Sequence, residues 1–297
     1  MSSFRHSLLV HPRTLDQVDN FLNQPAHALL LVGVSGSGKY ALAKALAANL
    51  LGLESTDKLA SYPYFVELSA PDGKQEIPID AVRGVIHNLR LKTPGRAGIQ
   101  RIIVIDGAQN LSGEAQNALL KTLEEPAADT VFILTAPSSR VVAPTIASRA
   151  QTIAVYPVTR PAALAYYQNN RREVDIASNW LLSAGAAGLL DSLLDDKASH
   201  PLKDAVISFK TFLGSSAYER LLYCDGLSKD KAGLGHFLDG GKRVLRALHQ
   251  NAVKNGNAKQ SKILAKNRKF IGLLQTRLAA NASPRLVALS LALNLNL

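Results

Sequence analysis

Apolar and polar residues along this chain follow two rhythms, and the change between them falls near Tyr156–Pro157. Before that point, short apolar runs alternate with helical spacings. ALLLV (28–32), RIIVID (101–106) and TVFILT (130–135) read as strands buried on both faces, and FVEL (65–68) as a further strand. KYALAKALAANLL brings Ala41, Leu42, Leu46 and Leu50 together at helical spacing. In LSGEAQNALLKTLEEP, Ser112 is placed to cap a helix and Glu114 suits its first turn. Leu119 and Leu123 share a face, and Pro126 ends the helix. IPIDAVRGVIHNLRL starts another near Ile79 or Asp80. Strands alternating with helices predict an α/β unit with a parallel sheet covered on both faces. From Thr159 onward the spacing is helical throughout, with glycine breaks expected at Gly185–Gly188, Gly214 and Gly240–Gly241. Residues 1–157, 158–199 and 200–297 are therefore expected to form an α/β core, a small helical part and a second helical part.

Composition narrows the class. With 297 residues, 47% apolar and 19% charged, the chain suits a globular protein with a sizeable core. Cys224 is the only cysteine and the histidines are scattered, so neither a disulfide nor a structural zinc site is expected. No apolar stretch is long enough for a membrane span and the N-terminus is unlike a signal peptide, so a cytoplasmic location is expected. The net charge of +11 is uneven: residues 200–297 carry 16 Lys/Arg against 5 Asp/Glu, whereas residues 1–199 balance at 18 and 18. Such a segment suits a polyanion or an acidic partner. Lys259, Lys262, Lys266, Arg268 and Lys269 also fit a plain solvated face. Tyr166, Tyr167 and Trp180 read as packing residues.

The chemistry concentrates at GVSGSGK (33–39), which fits G-x-x-x-x-G-K between a strand and a helix. Gly33, Gly36, Ser37 and Gly38 would turn backbone N–H groups toward phosphate oxygens, and Lys39 would reach the outer phosphates. ATP is the expected ligand. Position 40 departs from the pattern. A Ser or Thr hydroxyl there ligates Mg²⁺, whereas Tyr40 carries its oxygen several ångströms further out, which weakens the metal site. Asp106 ends a buried strand where an acid serves the metal or its water, but Gly107 follows instead of a water-orienting glutamate. Hydrolysis by this chain is not expected. Glu124 and Glu125 oppose the dipole at a helix end, so a tertiary partner is expected there.

Longer stretches carry a resemblance. IDGAQNLSGEAQNALLKTLEEP, with NALLKTLEEP at 117–126, and PTIASRAQ at 144–151 resemble the AAA+ core of bacterial DNA polymerase III clamp-loader subunits. YPYFVELSAPDGKQEIPIDAVRGV is similar to their segment before the second strand, and RLAANASPRLVALSLAL (277–293) to the end of their collar domain. The resemblance implies a P-loop AAA+ core with a parallel sheet, a small helical lid and an all-α collar. Tyr40, Gly107 and SAGAAGLL (183–190), which lacks the nucleotide-sensing arginine near Gly188, resemble the delta-prime type more than the gamma or tau motors. The resemblance further implies that Arg149, after Ser148, is an arginine finger for a neighbouring subunit's ATP, and that Thr135 is near the sensor position. Expected partners are gamma/tau-type and delta-type subunits, with the sliding clamp and primed DNA reached through the complex. The cysteine-free segment LLGLESTDKLASYPY leaves out the family's zinc knob. An active motor-type ATPase and a DNA-binding AAA+ adaptor are the alternatives.

Overall fold

A computed structural model describes residues 8–71, 74, 76–89, 93, 98–168 and 173–295. Arg90 and Leu91, at the end of one predicted helix, and residues 1–7 lie outside the described residues. The chain divides into two compact units: residues 1–162 with 186–188, and residues 163–185 with 189–297.

The first unit contains α1 (Pro12–Asn23), β1 (Ala28–Val32), α2 (Lys39–Leu50), β2 (Phe65–Leu68), α3 (Ile79–Leu89), β3 (Arg101–Ile105), α4 (Gly113–Glu124), β4 (Thr130–Ala136), α5 (Pro144–Ala147) and β5 (Gln151–Ala154). The strands form one sheet in the order β2-β3-β4-β1-β5. Every neighbouring pair is parallel. Alternation along each strand divides the core in two. Leu29, Leu31, Ile102, Val104 and Ile133 face Val18 and Phe21 of α1 and Leu42 and Leu46 of α2. Leu30, Ile103, Ile105, Phe132 and Leu134 face Val82 of α3, Leu119 and Leu123 of α4 and Ile146 of α5. The buried runs therefore read without a polar interval, as a doubly covered sheet requires.

The predicted strands and the helices at 39 and 113 are present, and Ser112 Oγ accepts from the Ala115 N–H. Three elements of this unit were not foreseen: β5, α1 and the one-turn α5. β5 is a four-residue edge strand with two exposed positions, so it has no apolar run to betray it. α1 begins at Pro12, with the His11 ring nitrogen accepting from the Arg13 N–H. Proline at the first helical turn forfeits no intrahelical bond.

The second unit is helical: α6 (Arg160–Tyr167, entering it at Ala163), α7 (Glu173–Ser183), α8 (Ala187–Leu194, entering it at Leu189), α9 (Pro201–Gly214), α10 (Ala217–Leu227), α11 (Lys231–Lys254), α12 (Ala258–Ala279) and α13 (Pro284–Asn294). Phe209, Phe212, Tyr223 and Phe237 form its aromatic centre, with ring centroids 5.1–6.0 Å apart. Ser216 and Glu219 close a capping box at the start of α10. Gly240–Gly241, expected as a break, lies inside α11 instead. A Cβ on Gly240 would stand 2.7 Å from the Ala205 carbonyl carbon, and one on Gly241 would stand 2.3 Å from the Phe209 ring. These glycines let α9 and α11 approach closely, and packing overrides their poor helix propensity.

Candidate functional site at the carboxyl end of the sheet

β1 delivers Val32 into the loop 33–38, which ends at the first residue of α2. Gly36 (φ +76°) and Gly38 (φ +87°) take left-handed backbone that an L side chain would strain. A Cβ on Gly33 would lie 2.7 Å from the Val155 carbonyl oxygen and 3.0 Å from Ser37 Oγ. The loop thus has the shape of an anion cradle at a helix N-terminus. Lys39 folds back into it. Its ammonium donates to the carbonyls of Gly33 (2.7 Å) and Val34 (3.0 Å), with Ser37 Oγ at 3.5 Å. Burial lowers the Lys39 pKa from 10.5 to about 8, against the opposing pull of Asp106.

The unfolded chain holds the Lys39 proton up to 10.5 and the folded one only to about 8. The buried charge therefore weighs against folding below pH 8, and this penalty disappears as pH rises from 8 to 10.5. It amounts to on the order of 3 kcal/mol. A phosphate group in the cradle would restore the proton. Titration of ADP into the protein near pH 8, in two buffers of different ionisation enthalpy, should show uptake of about half a proton, with affinity falling as pH rises further. Binding with no proton uptake would show that phosphate does not meet Lys39.

Asp106, directly after β3, meets Thr135 near the end of β4. The Gly107 N–H donates to Thr135 Oγ1 (3.0 Å), and that hydroxyl donates to Asp106 Oδ1 (2.6 Å). Thr135 is 1% exposed, so the chain of bonds is held away from solvent. Gly107 has φ +78°, and a Cβ there would approach Asn110 Nδ2 to 2.9 Å. The missing glutamate is thus a change of backbone as well as of side chain, because a glutamate at 107 would be strained.

The Tyr40 hydroxyl donates to Glu67 Oε1 on edge strand β2 (2.5 Å). Burial first, then the Glu67 hydrogen bond and the charges of Glu67 and Asp106, push this phenol above its ordinary value. It stays a neutral donor engaged with Glu67, a poor ligand for a cation. Sequence reading missed Glu67, because nothing local distinguishes a glutamate in a strand until its partner is seen. No group of three or more His, Cys, Asp or Glu placed to hold a metal occurs among the described residues. Residues 186–188 belong to this same unit, and Gly188 rests on the loop. A Cβ there would come within 3.0 Å of Gly38 N and Cα and 3.1 Å of the Gly36 carbonyl oxygen.

Arg149 follows α5 and has its own partners. Nη2 donates to Glu124 Oε1 at the end of α4 (2.6 Å), and Nη1 donates to the Thr145 carbonyl (2.9 Å). Ser148 Oγ stands 3.5 Å from Nη1. The guanidinium supplies the partner that the acidic end of α4 called for. The side chains of Arg149 and Glu124 are 35% and 48% exposed. The loop residues, Asp106 and Thr135 thus gather at the carboxyl end of the sheet, whereas the recorded bonds of Arg149 go to α4 and α5.

The sequence family described as DNA polymerase III, delta subunit matches residues 11–159. The DNA polymerase III subunit delta' of Haemophilus influenzae is 36% identical over 137 residues, 42% of this chain and 41% of its own length. That of Escherichia coli is 32% identical over 171 residues, 53% of this chain and 50% of its own length. A replication factor C small subunit of Haloarcula marismortui is 31% identical over 222 residues, 70% of this chain and 64% of its own length. The chain thus spans about half or less of the delta' relatives it matches. In fold it resembles a DNA polymerase III gamma subunit-related protein of Thermotoga maritima, with a TM-score of 0.54 at 16% identity. The superposition covers 94% of this chain and 97% of that one. The architecture is that of a P-loop AAA+ core followed by helical structure.

Proposed function

This chain belongs to the family of DNA polymerase III delta-prime clamp-loader subunits, proteins of DNA replication, and we propose that it acts in that family's assembly. In this reading it braces a hetero-oligomeric clamp loader and lends Arg149 to the ATP site of a neighbouring gamma- or tau-type subunit. The observation that carries it is a division within one core. The P-loop is intact, but Tyr40 is engaged with Glu67 and the Gly107 turn leaves no glutamate, while Arg149 stays partly exposed on a short bridge to Glu124.

Gly33–Lys39 would hold the phosphates of a nucleotide, and Lys39 would trade its contacts with the loop carbonyls for phosphate oxygens. The cradle fits such a group, because an anion relieves a buried ammonium; the Tyr40 hydroxyl does not fit Mg²⁺. A guanidinium offered in trans stabilises the charge that develops on a transferring phosphoryl group. Residues 1–157, 158–199 and 200–297 would act as core, lid and collar. The helical unit carries exposed apolar stripes suited to assembly: Tyr218 (70% exposed) and Leu222 (58%) on α10, and Leu286 (67%), Leu289 and Leu293 on the adjoining α13. Sliding clamp and primed DNA would be reached through the assembled complex.

ATP turnover separates this reading from that of a motor subunit. The purified chain should hydrolyse no ATP, and adding it to gamma-type and delta-type subunits should raise theirs. Turnover by the chain alone, abolished by Lys39→Ala, would overturn the reading.

A further inference from the structure

The protein's net charge of +11 is equalled by its last segment alone. After Asp239 no Asp or Glu occurs to the end of the chain, while residues 240–297 hold 11 Lys and Arg. α12 sorts part of this charge onto one face. Lys259, Lys262, Lys266 and Lys269 are all exposed, and their spacing of three, four and three residues keeps them within an arc of about 80°. Leu264, Asn267, Ile271, Leu274 and Leu278 are buried on the opposite side. Arg268 does not share the lysine face, because its Nη1 lies 2.7 Å from His249 Nδ1 of α11. The four ammonium groups have no ion-pair partner among the described residues.

We propose that this face of α12 binds the phosphate backbone of nucleic acid without regard to sequence. From Lys259 to Lys269 the helix rises about 15 Å, the length over which one strand of duplex presents about four phosphates. Four unpaired point charges on a rigid rod therefore match four phosphates along a strand. The face holds no aromatic ring to stack on a base; Phe270 is partly buried against the helical core, and Leu273 is the exposed apolar residue that continues the row. An acidic protein partner would call for buried apolar or aromatic anchors across the contact, and this row supplies one leucine. Phosphate contacts without base contacts give affinity without sequence choice. The site is independent of Arg149 and of the P-loop.

The test uses the full chain and fluorescein-labelled mixed-sequence DNA of about 20 nucleotides, single-stranded and duplex, across a series of KCl concentrations. Replacing Lys259, Lys262, Lys266 and Lys269 by Gln should weaken binding at least tenfold near 0.1 M salt. It should also flatten the slope of log K against log[salt] by about 3. A charge-matched control, Lys121, Lys197, Lys210 and Lys229 to Gln, should lose less than about threefold. All eight positions are exposed, so both variants should keep the parent melting temperature. Equal losses in the two variants would reduce the effect to net charge and overturn the site. A polyaspartate peptide that binds as tightly as DNA of equal charge would overturn the choice of nucleic acid.

Discussion

Arg149→Ala should cut turnover at the one neighbouring ATP site it serves by about 10³-fold, lowering turnover of the reconstituted assembly by that site's share, while leaving the chain folded and assembled. The loss is expected in kcat with KM little changed, because a finger acts on charge that appears only in the transition state. Folding should be spared. The Arg149–Glu124 bridge has side chains 35% and 48% exposed, and pairs of that kind contribute about 0–1 kcal/mol. What remains is an uncompensated Glu124 at the end of α4, worth a few tenths of a kcal/mol against the helix dipole. Arg149→Lys should recover only part of the rate, since an ammonium cannot reproduce the guanidinium fork. Gel filtration of each variant with its partner subunits must accompany the kinetics. Unchanged turnover in an intact Arg149→Ala assembly would sink the finger.

The second large effect concerns assembly. Leu222→Glu combined with Leu289→Glu should weaken association with the other subunits by more than 100-fold, without lowering the melting temperature of the isolated chain. In that chain Leu222 and Leu289 are 58% and 44% exposed, so a carboxylate at either site stays hydrated. In an interface each would lose water with no partner, at several kcal/mol apiece. Sedimentation of the mixed subunits measures it. Full association by the double variant would place the seam elsewhere on the helical unit.

Much of the core was legible beforehand. The runs at 28–32, 102–105 and 131–134 are apolar because both sheet faces are covered, and this coverage is itself a local signal. The phosphate loop needed only its glycines and lysine. β5 was invisible, because an edge strand with two exposed residues has no such signal. Gly240–Gly241 misled, because propensity describes an isolated helix, and here Ala205 and Phe209 occupy the space a side chain would need.

By itself the sequence determined the parallel α/β unit, the anion cradle at 33–39 and the two departures, Tyr40 and Gly107. Only the tertiary structure decided what those departures do. Tyr40 meets Glu67, Thr135 meets Asp106 and Arg149 meets Glu124, across 27, 29 and 25 residues of chain. Local spacing sets which face a residue occupies, but the partner across that face follows from the strand order β2-β3-β4-β1-β5 and the helices laid over it. No periodicity along the chain encodes that order.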